Sequence, residues 1–132
     1  MAFRRVLKAS GMAAGAIALA LGVTLGAFGA HALRGRLDAY LMSVYEKAVF
    51  YHFIHALGVL IVSLIPKTGA ITESAAGWVC GLLLAGIAIF SGSLYTLALT
   101  GVRTMGAITP VGGVCFIAAW LLLAYYFIAQ RV

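Results

Sequence analysis

The chain has 132 residues, of which 64% are hydrophobic and 9% are charged. A soluble domain is about 45–50% apolar and roughly a quarter charged. This composition therefore excludes an ordinary soluble enzyme, a disordered regulator and a nucleic-acid-binding domain, despite a net charge of +6. With a mean hydropathy of +1.12, we interpret residues 1–132 as a single membrane domain that is embedded in a lipid bilayer.

The charged residues fall in short clusters that are separated by four charge-free stretches, at residues 9–33, 48–66, 74–102 and 104–130. A helix needs about 20 apolar residues to cross the hydrocarbon core. Backbone groups in lipid must pair within their own segment, so each stretch is expected to be helical. The sequence predicts an all-α membrane protein, a four-transmembrane-helix bundle with spans at about 9–33, 44–65, 75–100 and 109–130.

Capping residues and helix breakers mark the ends of these spans. Asp38 can cap a helix that begins as a short amphipathic surface segment and continues into the second span. Thr72 or Ser74 can cap the third span, and Gly101 can end it. Pro110 lies near the start of the fourth span, where its missing N–H is tolerated.

The basic residues predict the orientation. If both termini lie on one side, that side carries five Lys or Arg residues and the other side carries four. Because the amino-terminal cluster of Arg4, Arg5 and Lys8 usually dominates, we place both termini in the cytoplasm of a bacterial inner (plasma) membrane. The mitochondrial inner membrane is the alternative, since this cluster also resembles a short presequence.

The same amino terminus allows a second interpretation, as a cleaved signal peptide. Ala30, His31 and Ala32 match an A-x-A cleavage site after a basic and then apolar run. A signal peptide has an apolar core of about 7–15 residues. The charge-free run here is longer, which favours a retained first span.

Small residues recur every three or four positions in two of the spans. Such stripes let helix backbones approach closely in lipid, so we expect both helices to pack tightly against other helices. Space for a flat cofactor is the alternative role. The glycines of the two stripes are Gly11, Gly15, Gly22, Gly26 and Gly29 in the first span, and Gly77, Gly81 and Gly92 in the third.

Aromatic residues flank the spans near both predicted membrane surfaces. Trp78, Tyr125 and Tyr126 lie towards the predicted cytoplasmic surface, and Tyr40 and Tyr45 lie towards the opposite one. Amphipathic rings are enriched at both interfaces of membrane proteins. We interpret these five residues as an anchoring belt.

Polar residues collect in the half of the membrane opposite the termini. Ionisable groups inside a membrane are costly and are candidates for function. The predicted polar cluster consists of His31, Tyr51, His52, His55, Ser91, Ser93, Tyr95, Arg103 and Thr109.

The three histidines support several interpretations. They can hydrogen-bond across helices to serines or backbone carbonyls and so stabilise the bundle. His31, His52 and His55 could instead hold Zn or Cu, or His31 and one of the other two could bind haem. A proton relay or a quinone contact is the remaining interpretation. No cofactor is required by any motif in the sequence.

Catalytic groups are scarce. With three acidic residues in the chain, carboxylate catalysis and a Ca²⁺ or Mg²⁺ site are nearly excluded. We see no nucleophile–base pair and no phosphate loop. The sequence therefore favours a protein that is not an enzyme.

Four motifs resemble a known family. They are GAFGAH at residues 26–31, YHFIHAL at 51–57, FSGSLY at 90–95 and GAITPVGG at 106–113. They are similar, in this order, to the small YgdD/YwdK-like membrane proteins of domain of unknown function 423, which include a mitochondrial transmembrane protein 256-like relative. The resemblance implies four membrane helices and an uncleaved first span, and it implies no activity.

These observations together favour an accessory subunit of a larger membrane complex, of which a respiratory complex is one example. The expected partner is another membrane protein or a second copy of the chain. The alternatives are a histidine-based metal or haem binder and a small proton or solute pathway through the polar cluster.

Overall fold

The computed structural model describes the backbone of residues 2–129 and the side chains of residues 10–129. Four helices are long and apolar enough to cross a membrane, at Ser10–Leu33, Ala39–Thr68, Glu73–Thr100 and Arg103–Ala129. The predicted all-α membrane fold with four spans is confirmed. The side chains of Arg4, Arg5 and Lys8, and the whole of Arg131, lie outside the described part, so the orientation remains a prediction.

Within the described residues the spans contain five α-helices, two π-helical turns and two short 3₁₀ helices. A π-helical turn follows the first α-helix and another interrupts the third span. In chain order the elements are α1 (Ala2–Phe28), a first π turn (Gly29–Leu33), α2 (Ala39–Leu64), a 3₁₀ helix (Ile65–Thr68), α3 (Glu73–Gly86), a second π turn (Ile87–Ser91), α4 (Gly92–Thr100), a second 3₁₀ helix (Arg103–Ala107) and α5 (Thr109–Ala129).

The helix ends follow the predicted capping residues. The Asp38 carboxylate accepts a hydrogen bond of 2.8 Å from the backbone N–H of Leu41, and α2 then continues from the surface through the membrane without a break. Of the two caps considered for the third span, Thr72 is used, through a 3.1 Å bond from the N–H of Ala75. Gly101 ends α4 in the left-handed conformation, with a φ of 72°.

The helices pack mainly against their neighbours in the chain. Helix α1 packs on α2, α2 packs on α3 and α4, and α5 packs on α3 and the second π turn. The outer faces of α1 and α5 carry exposed apolar side chains such as Ile17, Leu21, Ile117 and Leu121. These faces suit contact with lipid tails.

The glycine stripe of the first span lies in the α1–α2 contact. A Cβ atom added to Gly15 would lie 2.8 Å from the backbone nitrogen of Leu60, so the two backbones approach closely there. The other glycines of this stripe face side chains of α2 along the same antiparallel contact. The facing pairs are Gly11 with Ser63, Gly22 with Phe53, Gly26 with Val49 and Gly29 with Tyr45.

The glycine stripe of the third span meets no close neighbour within the described residues, so its packing against another helix stays a prediction. A Cβ atom added to Gly77, Gly81 or Gly92 would meet no atom within 4 Å. The close contacts between the third and fourth spans are instead made where Gly86 faces Phe116 and Gly112 faces Phe90. Gly86 leaves space for the ring of Phe116, and Gly112 leaves space for the backbone of Phe90.

Candidate functional site

A polar layer divides the apolar core into two clusters. One cluster contains Val59 and Leu83 and the other contains Val44 and Leu97. We use the name polar layer for His52, His55 and Ser91, which lie between these clusters along the chain, together with Tyr95, which packs against the second cluster and hydrogen-bonds to His52. His52 and His55 lie near the middle of α2, which extends from Ala39 to Leu64.

His52 connects three helices. Its Nε2 lies 2.8 Å from the backbone carbonyl oxygen of Ala18 in α1, and its Nδ1 lies 3.0 Å from the hydroxyl oxygen of Tyr95 in α4. Because a carbonyl oxygen can only accept, Nε2 carries a proton, and in a neutral imidazole Nδ1 accepts a hydrogen bond from the Tyr95 hydroxyl. Both nitrogens of His52 are thus paired.

His55 faces a different helix from His52. Its Nδ1 donates a 2.7 Å hydrogen bond to the carbonyl oxygen of Tyr51, one turn earlier in α2. Its ring stacks on Phe116 of α5 with centroids 3.5 Å apart, and it lies nearly parallel to the Tyr51 ring at 5.9 Å. His55 therefore acts as an aromatic packing residue between α2 and α5.

The hydroxyl groups form separate contacts between helices. The Ser91 hydroxyl, in the second π turn, donates a 2.8 Å hydrogen bond to the carbonyl oxygen of Ala48 in α2. The hydroxyls of Ser93 and Thr109 lie 2.6 Å apart and connect α4 to the start of α5. Each hydroxyl is thus used to hold two helices together.

His31 and Arg103 lie apart from the other members of the predicted cluster. His31 is exposed in the first π turn, and Arg103 is exposed with its guanidinium 5.4 Å from the centre of the Tyr40 ring. His52 bonds to Ala18, which precedes His31 by thirteen residues, or about 20 Å of helix. His31 and Arg103 are therefore not brought together with the polar layer, although the sequence placed all of these residues in one half of the membrane.

The described residues do not bring together the three histidines of the candidate metal site. Within residues 10–129, no group of three His, Cys, Asp or Glu side chains is placed so that it could hold a metal ion. His31 is remote, while His52 and His55 point to different helices. His52 has no nitrogen left for a haem iron, because both of its imidazole nitrogens are hydrogen-bonded.

Tyr45 belongs to the interior and not to the predicted anchoring belt. Its side chain is 1% exposed, its ring fills the space beside Gly29, and its hydroxyl donates a hydrogen bond to the carbonyl oxygen of Leu25. Tyr40, Trp78 and Tyr125 remain exposed. The sequence contains a signal for this buried position. Tyr45 precedes His52 by seven residues, or about two helical turns, so the two side chains lie on the same face of α2.

Comparison with known proteins identifies the family. A family model described as "Protein of unknown function (DUF423)" matches residues 25–113. The chain belongs to the DUF423 family. The predicted resemblance is thereby confirmed, and every side chain of the polar layer lies within the matched DUF423 region.

Relatives match over most of their length. The chain is 52% identical over 109 residues to UPF0382 membrane protein SH2409 of Staphylococcus haemolyticus, covering 83% of this chain and 87% of that protein. It is 45% identical over 111 residues to UPF0382 membrane protein YwdK of Bacillus subtilis, covering 83% and 88%. No solved structure matches the chain. The DUF423 chain is thus a small membrane protein with relatives in Gram-positive bacteria.

Proposed function

We propose that this DUF423 protein is a non-catalytic accessory subunit that binds another membrane protein. The observation that supports it most is the open face of the third span, by which we mean Gly77, Gly81, Ala88 and Gly92. In α1 the same kind of stripe is covered by α2, whereas this face is uncovered within the described residues. Small residues are the usual contact surface between membrane helices.

The buried polar groups support a structural role for the polar layer. Among the side chains described, no buried nitrogen or oxygen atom lacks a hydrogen-bond partner. Buried polar groups that are paired inside a chain stabilise its fold and have little capacity left for a substrate. We therefore expect the surface that binds a partner protein to lie on the outside of the bundle.

The proposed location is the plasma membrane of a bacterium, with both termini in the cytoplasm. The basic amino-terminal cluster supports this orientation. A respiratory assembly is one complex that such a subunit could join, since the chain consists almost wholly of membrane spans.

Matched leucine substitutions test the proposal. Ala88→Leu adds bulk to the open face of the third span, and Ala124→Leu adds the same bulk to an exposed position of α5. After mild solubilisation, native gels should show the wild-type chain and Ala124→Leu migrating with other membrane proteins. Ala88→Leu should lose this association while remaining folded.

Two results would contradict the accessory role. One is purification of the wild-type chain as a monodisperse self-assembly with no other protein. The other is association that is equally strong in Ala88→Leu and Ala124→Leu. Co-expression of two differently tagged copies distinguishes a homo-oligomer from a complex with a second protein.

A proton pathway is the second candidate, favoured by the hydrogen bond between Tyr95 and His52 inside the membrane. An O–H···N pair of this kind can pass a proton if a further acceptor becomes available. This candidate predicts proton flux in liposomes that is lost in His52→Ala and in Tyr95→Phe. Unchanged flux in both variants would eliminate it.

A further inference from the structure

A groove of about 900 Å³ opens at the amino-terminal end of the bundle, between α1, the end of α2 and the start of α3. Its volume lies within the range of roughly 300–1,000 Å³ that is typical of small-molecule sites. The groove exists because α1 packs closely on α2 and makes few contacts with α3. It is therefore a feature of the bundle's packing and is separate from the polar layer.

The lining of the groove changes from polar to apolar with depth. Ser10, Lys67 and Thr72 line it near the helix ends, while Gly81 and Leu84 line it further along α3. Leu84 lies eleven residues beyond the start of α3, which corresponds to about 16 Å along the helix. This profile fits a molecule with a polar head at the membrane surface and an apolar tail in the hydrocarbon region.

The charges at this end favour an anionic head. Lys67 is exposed on the rim, and the sequence places three further basic residues between positions 4 and 8, just before the groove-lining part of α1. Lys67 and Glu73 are the two charged residues of the groove lining and carry opposite charges, so the positive excess at this end comes from the basic residues at positions 4–8 of the sequence. Basic residues at a membrane surface attract anionic lipids.

We propose that this groove binds one phospholipid with an anionic headgroup. The phosphate lies near Lys67, and one acyl chain follows the small residues Gly77 and Gly81 towards Leu84. The groove shares Gly77 and Gly81 with the open face of the third span, whereas Ala88 and Gly92 do not line it, so Ala88→Leu tests the accessory role without filling the groove.

Native mass spectrometry of the full chain tests the inference. The protein is released from nanodiscs that contain equal amounts of phosphatidylglycerol and phosphatidylcholine, and the retained lipid is identified. We expect one phosphatidylglycerol per chain. Lys67→Gln should reduce its retention about fivefold, as expected for loss of one basic contact at a membrane surface. Ala14→Phe should abolish retention by filling the groove from α1.

Two matched controls should retain the lipid as the wild type does. Lys47→Gln removes an exposed charge at the opposite end of α2, and Ala16→Phe adds the same ring to an exposed position of α1. Circular dichroism verifies that each variant is helical. If Ala14→Phe does not fold, the comparison of Lys67→Gln with Lys47→Gln still decides the result.

Three outcomes would overturn the inference. Equal retention of the two lipids would show that the headgroup charge is not recognised. Retention that neither Lys67→Gln nor Ala14→Phe reduces would place the lipid elsewhere on the surface. A lipid-free dimer that Ala14→Phe disrupts would assign the groove to a second copy of the chain.

Discussion

Replacing Gly15 by alanine should weaken the α1–α2 contact. The added Cβ would lie 2.8 Å from the backbone nitrogen and 2.9 Å from the Cα of Leu60. Ordinary carbon contacts are about 3.5–4.0 Å, so α1 must move away by roughly 1 Å. The obstructing atoms belong to the backbone of a neighbouring helix, so a change of rotamer cannot relieve the clash.

The size of the effect follows from two opposing terms. Overpacking of this kind costs about 1–3 kcal/mol. Alanine in place of glycine within a helix recovers about 0.5–1 kcal/mol. Gly77→Ala isolates the second term, because a Cβ added there meets no atom within 4 Å. The two variants should therefore differ in the free energy of unfolding by about 1–3 kcal/mol, with Gly77→Ala the more stable.

The assay is equilibrium unfolding in mixed micelles of increasing dodecyl sulfate content, followed by far-UV circular dichroism. Wild type should lie between the two variants when the steric cost of Gly15→Ala exceeds its gain in helix propensity. Equal stability of Gly15→Ala and Gly77→Ala would refute the close backbone contact between α1 and α2.

Three further predictions concern the polar residues. In a double-mutant cycle, His52→Phe and Tyr95→Phe should show a coupling of about 0.6–2 kcal/mol in unfolding free energy, and additive effects would contradict the pair. Ser91→Ala should lower the free energy of unfolding by about 1 kcal/mol, because it removes a hydrogen bond between two helices. Thr96→Ala removes a hydroxyl that bonds to its own helix and should lower this free energy by less. Equal losses in the two variants would argue against the interhelical bond. Added Zn²⁺ should shift the unfolding midpoint of the wild type and of His31→Ala equally, and a shift lost only in His31→Ala would restore the three-histidine site.

The helices and their ends could be predicted because they depend on local signals. Charge-free runs of sufficient length indicate membrane spans wherever they occur in a sequence. Asp38, Thr72 and Gly101 act within one turn of their own helix, so their roles follow from residue type and position. The family could be recognised for a related reason, since its four motifs are short and follow one another in order.

The polar partners could not be predicted because they depend on how one helix faces another. His52 and His55 lie three residues apart in α2, which predicts one shared helix face, but this spacing does not reveal that α1 lies against one and α5 against the other. Tyr45 was misplaced because tyrosine is common at membrane interfaces, although its position seven residues before His52 indicated the buried face. Tyr45 and His52 both donate a hydrogen bond to a backbone carbonyl oxygen. Because every residue has such a carbonyl group, no residue type in the sequence marks the partner.

The second π turn has a consequence for how the chain tolerates insertions and deletions. Its wider i→i+5 bonding accommodates one residue more than an α-helix would over the same stretch. Five residues of a π turn cover about the same rotation as four residues of an α-helix. Deleting one residue between Ile87 and Ser91 would therefore restore a regular α-helix while Tyr95 still faces His52 and Ser93 still faces Thr109. The same deletion within α3 would rotate the rest of the span by about 100°. The π turn should therefore be the part of this span that best tolerates the loss of one residue.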